Sequence, residues 1–78
     1  MSVVTDERFR QFIDDSRWLH QNYNNLIIEF YLEYVAIKNH MIVAHDKEMH
    51  EFERELKQNN IDRLDVVVEF IRDKRHEV

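Results

Sequence analysis

YVAIKNHMIVAH, residues 34–45, is the stretch whose reading decides the fold. The chain contains no glycine and no proline, so nothing in its composition interrupts a helix. Yet the apolar residues here alternate instead of recurring every third or fourth position. Tyr34, Ala36 and Lys38 fall on one side of an extended chain and Val35 and Ile37 on the other. A second β-rich run, Met41 to His45, begins after only Asn39 and His40, the loop length of a tight β-hairpin. Pairing across that loop sets Lys38 opposite Met41, Ile37 opposite Ile42, Ala36 opposite Val43, Val35 opposite Ala44 and Tyr34 opposite His45. Val35, Ile37, Ile42 and Ala44 then form one apolar face. The turn needs positive φ at both central residues, which asparagine and histidine accept at a cost of about 1 kcal/mol or more.

Working toward the N-terminus, Phe9, Phe12 and Ile13 recur at helical spacing, with Thr5 or Asp6 as caps and Asp6 and Glu7 placed against the helix dipole. The pattern runs on through Leu19, Tyr23, Leu26, Ile27 and Phe30. It fits either one helix of about 25 residues or two nearly collinear segments bent at Asp14 to Ser16, with Asp15 or Ser16 capping the second.

Working toward the C-terminus, Asp46 ends the hairpin and is the expected N-cap of a helix whose apolar stripe is Met49, Phe52 and Leu56. Asn59 and Asn60 stop that helix, since asparagine tolerates the left-handed conformation usually given to glycine, and Ile61 folds back on its end. Asp65 to Asp73 is too short and too β-branched to stand as a helix, and reads as a strand. Val66, Val68 and Phe70 face one way along it, and Val67, Glu69 and Ile71 the other. The order is helix, helix, strand, strand, helix, strand: an α+β fold with a small sheet covered by helices on one face. The rival is an all-α three-helix bundle.

Trp18, Leu19 and Tyr23, then Tyr34, Val35, Ala36, Ile37, Asn39, Val43 and Ala44, then Ile61 and Asp62, then Val66 to Ile71 carry a likeness. Over residues 16–72 the chain resembles a family of short archaeal and cyanobacterial proteins of unknown function. That family's pattern is a Trp- and Tyr-bearing helix, a Tyr-Val-Ala-Ile-x-Asn hairpin, a charged helix and a Val-rich last strand. Residues 1–15 lie outside the likeness, as a helical extension of one small domain, 1–78. The family has glycine before the hairpin, at its turn and before Ile-Asp, where this chain has Leu32, His40 and Asn60. The resemblance implies the fold and no catalytic residue.

Composition narrows function by exclusion. A chain of 78 residues buries only about 60–65% of its unfolded surface, and such domains commonly lean on disulfides, a metal or a partner. There is no cysteine, which removes disulfides, thiolate catalysis and cysteine-type metal centres. Sixteen acidic against eleven basic residues give a net charge of −5, a field that repels phosphate backbones. The basic cluster Arg72, Lys74 and Arg75 is interrupted by Asp73 and reads as a solvated end. No basic-then-apolar leader and no membrane-length apolar run is present in the sequence, so a cytoplasmic protein without membrane attachment is expected.

The candidate chemistry is thin. His40, His45 and His50 are five apart, whereas ligands sharing a helix face need spacing of three or four, and an extended strand carries His40 roughly 17 Å from His45. No metal site and no cofactor is expected from them. Asp14 with Asp15 and Glu51 with Glu55 are paired carboxylates, but hydrolysis needs such a pair in a cleft. Ser2 and Ser16, the only serines, look like a terminus and a cap. Trp18, Tyr23, Phe30, Tyr31 and Tyr34 could stack bases, although helical spacing favours a core.

The expected function is therefore a small non-enzymatic protein-interaction module, a homodimer or the partner of another protein. Three contact surfaces come into view: a second sheet face bearing Ala36, Met41, Val43, Val67 and Ile71, a strand edge, and the Phe9, Phe12, Ile13 segment. The alternative is a regulatory or antitoxin-like protein that contacts DNA as a dimer, for which Arg8, Arg10, Arg17 and Arg63 would have to gather on one face.

Overall fold

The computed structural model describes residues 7–73. Its elements are α1 (Glu7–Gln21), α2 (Tyr23–Phe30), β1 (Tyr34–Lys38), β2 (Met41–Asp46), α3 (Met49–Gln58), a 3-10 turn (Arg63–Asp65) and β3 (Val67–Phe70). The strands form one antiparallel sheet in the order β2-β1-β3. This is the expected α+β fold with a hairpin and a third strand. The cap expected at Thr5 or Asp6, and Lys74 and Arg75, lie outside the described residues.

Two N-terminal helices form, but the break falls at Asn22 and not at Asp14 to Ser16. Asn22 has φ −108° and ψ 9°, and its side-chain Nδ2 donates to the Trp18 carbonyl at 2.9 Å. A side chain that competes for a backbone acceptor favours departure from the regular ladder. Asp15, the expected cap, instead sits inside α1 with its side chain buried.

The hairpin closes on Asn39 and His40, with φ of 53° and 62°, the left-handed pair a type I′ turn demands. Lys38 pairs with Met41 and Ile37 with Ile42; beyond them the register shifts, so that Ala36 meets Ala44, Val35 meets His45 and Tyr34 meets Asp46. Val43 is the extra residue of a β-bulge. One inserted residue reverses the facing of everything after it, which corrects the expected pairing and moves Ala44 to the opposite face from Val35, Ile37 and Ile42. There Ala44 is buried with Ala36, Phe52, Leu56 and Val66.

The register of β3 brings a second correction. Ile37 pairs with Val67 and Val35 with Glu69, and directly opposed residues share a face. Val67 and Ile71 accordingly join Val35, Ile37, Leu19 and Leu26 in one core, flanked by Trp18, Tyr23, Ile27, Phe30 and Ile42. The other core lies under α3, where Met49, Ile61, Tyr34, Val43 and Val68 pack around Phe52. Helices thus cover both faces of the sheet, not one. Apolar residues occur on both sides of the strands because both sides are interior.

The end of α3 follows the expected route. Asn60 has φ 57°; its N–H reaches the Lys57 carbonyl at 3.1 Å, and the Ile61 N–H reaches that of Leu56 at 2.8 Å. This is a Schellman closure with asparagine in the glycine position, and Ile61 and Leu56 supply its apolar contact. The start of α3 differs from expectation. Asp46 is the last residue of β2, and its Oδ1 accepts the Glu48 N–H at 2.9 Å in a turn before the helix. Glu48 occupies the N-cap without a side-chain bond.

Leu32 is the fourth left-handed residue, at φ 60°. Its N–H donates to the Ile71 carbonyl at 2.7 Å, and the Ile71 N–H donates to the Glu33 carbonyl at 2.9 Å. The strained link between α2 and β1 thereby ties down the end of β3.

Candidate functional site

Among the described residues Asp15 is the buried charged one, at 1% exposure. It lies one helical turn before Leu19 on the inward side of α1, and a carboxylate there must be met by donors. Its Oδ1 accepts the His40 N–H at 2.9 Å, and its Oδ2 accepts the Asn39 N–H at 3.1 Å and the Gln11 amide at 3.0 Å. The N–H groups of a two-residue turn have no strand partner, so the helix carboxylate completes the turn. His40 closes the same junction from outside: its Nε2 lies 2.7 Å from Asp14 Oδ2, and its ring stacks on Trp18 at 6.0 Å between centroids.

Asp14, Asp15 and His40 each offer a ligand atom, all within 4.8 Å of one another. Oxygen and imidazole donors of this kind suit a divalent transition metal. Three N–H donors already occupy the Asp15 carboxylate, however, and His40 is already directed at Asp14. The geometry is that of a lock between α1 and the hairpin turn. Spacing along the sequence could not have found it, because Asp15 and its backbone donors are 24 and 25 residues apart. The available signal was an aspartate on the inward side of an amphipathic helix.

The remaining histidines go elsewhere. His45 Nδ1 lies 2.8 Å from Glu33 Oε1 and its ring meets Phe30 edge-on at 4.9 Å, while His50 is exposed on α3. Trp18, Tyr23 and Phe30 line one core and Tyr34 packs between Phe52 and Phe70; Tyr31 is half-exposed. Of the four arginines a DNA contact would need, Arg8 is held by Asp65 at 2.8 Å and Arg63 by Glu53 at 3.0 Å. These two are engaged with different carboxylates, while Arg10 and Arg17 are exposed on α1. Glu51 is instead 3.4 Å from Arg54 on the exposed side of α3.

The surface is distinguished by apolar exposure. Phe9 is 60% exposed, Phe12 48%, Ile13 38% and Leu64 72%. Phe9, Phe12 and Ile13 are three and four apart and share one side of α1. Leu64, in the 3-10 turn, joins Arg8, Phe9 and Phe12 around a shallow concavity of about 200 Å³. The Arg8 to Asp65 ion pair holds the two elements in this arrangement. Other concavities, of about 350 Å³, are lined by Glu7, Arg10, Gln11 and Asp14 and by Glu53, Leu56, Lys57, Ile61, Asp62 and Arg63. Neither places a serine or threonine beside a base in the manner of an activated nucleophile. Among the described residues no helix is long and apolar enough to cross a membrane.

Comparison of the chain with family models, with curated proteins and with solved structures finds no match.

Proposed function

We propose that this chain is a non-enzymatic protein-interaction module that docks through the outer side of the first half of α1. The observation carrying this reading is the Phe9, Phe12, Ile13 and Leu64 patch. With whole aromatic side chains burying about 150–250 Å² each, the four expose on the order of 400 Å², within the range where a patch on a small protein marks a contact site. The sheet faces and strand edges are weaker candidates. Both sheet faces are covered by the protein's own helices, the β2 edge is interrupted by the Val43 bulge, and β3 spans only Val67–Phe70. Short and bulged edges are how proteins discourage strand pairing. DNA contact as a dimer is the less favoured alternative, since Arg8 and Arg63 are engaged with Asp65 and Glu53.

The test is affinity capture together with sedimentation, using wild type and a Phe9→Asp/Phe12→Asp variant. Wild type is expected to associate, with itself or with another protein, and the variant to lose that association while keeping its circular dichroism spectrum. A wild type that stays monomeric at high micromolar concentration and retains nothing the variant does not would refute the proposal.

A further inference from the structure

The side of α1 turned away from the core is cationic as well as apolar. Arg10, Ile13 and Arg17 follow one another at steps of three and four and so stand in one row, with Phe9 about one turn before Ile13. All four are exposed, whereas Asp15 and Leu19, on the opposite side of the helix, are buried. Among the described residues Arg10 and Arg17 have no carboxylate partner, in contrast to Arg8, Arg54 and Arg63. Glu7 and Asp14 lie beyond Arg10, on the flank shared with Gln11, and Asp14 is engaged there by His40 at 2.7 Å. Resting on the interaction reading above, we propose that the occupant of this surface is an acidic amphipathic helix of another protein. Its apolar stripe lies on Phe9 and Ile13 and its carboxylates on Arg10 and Arg17.

Charge sets the sign of the occupant. Two unpaired guanidiniums on a protein of net charge −5 make a local site for carboxylates, which arginine holds bidentately. Duplex DNA or an anionic bilayer would also meet the surrounding acidic field, which repels it. Spacing sets the form. Seven residues of helix separate the arginines by roughly 10 Å along the axis, and a second helix matches this with acidic residues seven apart on one flank. An extended strand covers that distance in about three residues, and residues three apart on a strand point to opposite faces. On the other side of the apolar stripe, the concavity of about 200 Å³ lined by Arg8, Phe9, Phe12 and Leu64 receives an apolar side chain of the incoming helix. A second copy of the chain fits less well. In two-fold antiparallel packing each flank meets itself, which sets Arg10 and Arg17 against like charges; in parallel packing they meet the Leu64 flank, where Asp65 is already held by Arg8. The chain's own acidic helix, α3, has its apolar stripe buried against the sheet. Contact between copies is thereby left to high protein concentration.

Fluorescence anisotropy at physiological salt tests this with the full chain and two labelled, stapled helical peptides. Both carry leucines at steps of three and four; one has glutamates seven apart on the flank, the other lysines at the same positions. Wild type is expected to bind the glutamate peptide at least about tenfold tighter than the lysine peptide. Arg10→Glu/Arg17→Glu, an exposed change checked by its melting temperature, is expected to reverse that order. Should that variant fail to fold, Arg10→Gln/Arg17→Gln is expected to bring the two affinities to within about threefold. Phe9→Ser is expected to weaken binding of either peptide about tenfold. Equal binding of the two peptides by wild type, or an order that neither arginine variant alters, overturns the acidic partner; if Phe9→Ser still weakens binding, the interaction reading stands. A wild type that binds neither peptide overturns the acidic helix, and capture with the Phe9→Asp/Phe12→Asp variant then decides the interaction reading separately. Tighter binding of a DNA duplex or of phosphatidylserine vesicles than of the glutamate peptide assigns the arginines to a polyanion and overturns it as well.

Discussion

Replacing Asp15 with alanine should unfasten α1 from the hairpin turn. The side chain is 1% exposed and accepts two backbone N–H groups, at 3.1 Å from Asn39 and 2.9 Å from His40, besides the Gln11 amide. Hydrogen bonds to an ionised acceptor contribute about 1.5–3 kcal/mol each. Losing the two backbone bonds, less the desolvation cost that the buried carboxylate no longer incurs, leaves a net loss of about 3 kcal/mol. For a chain of this length, total stability is on the order of 4–12 kcal/mol, so the variant should be severely weakened. Asp15→Asn keeps one acceptor oxygen but turns an amide donor toward the second N–H, and should cost about 2 kcal/mol. Gln11→Ala removes one neutral donor and should cost under about 1 kcal/mol. Urea denaturation followed by circular dichroism at low protein concentration measures all three, with an unchanged m-value showing that the same transition is compared. Amide exchange at Asn39 and His40 should accelerate selectively in Asp15→Ala. A loss below about 1 kcal/mol, or unaltered exchange at those two amides, would refute the lock.

Leu32 holds φ 60° while half-exposed, so Leu32→Gly relieves about 1–2 kcal/mol of left-handed strain against a smaller entropic loss, a net gain of roughly 0.5 kcal/mol; a thermal melt shifting downward would contradict this. His40→Gly trades strain relief for the Asp14 and Trp18 contacts and should lie within about 1 kcal/mol of wild type, whereas His40→Val should cost at least about 1 kcal/mol more than glycine. Equal melting temperatures for the two variants would show that the turn does not require the left-handed conformation.

The parts of the fold legible in the sequence are those governed by local pattern. Period-two alternation and a two-residue gap disclose the hairpin, and Asn59 and Asn60 before Ile61 disclose the end of α3. Leu32, Asn39, His40 and Asn60 are the positive-φ residues of the described chain. The Val43 bulge was not legible, because a one-residue insertion in a strand leaves both adjoining runs with intact alternation. From that omission follow the misplaced Ala44 and part of the one-faced sheet. The rest came from Val67 and Ile71, whose face depends on a pairing register between strands far apart in the chain. Phe9, Phe12 and Ile13 were legible as an amphipathic stripe, but only the fold shows that they lie outside both cores and that Leu64 joins them. Asp15 read as a cap because sequence cannot tell an aspartate facing solvent from one facing a turn on another element.

The most direct test of the functional account is a concentration series of backbone and methyl NMR spectra, which locates the associating surface residue by residue. From micromolar to millimolar protein, shifts and broadening are predicted at Phe9, Phe12, Ile13 and Leu64. The β3 edge from Val67 to Phe70 and the Val43 bulge should stay unchanged. Changes centred on β3 with α1 silent would contradict the account, and so would spectra invariant over the whole range together with the absence of any other bound protein.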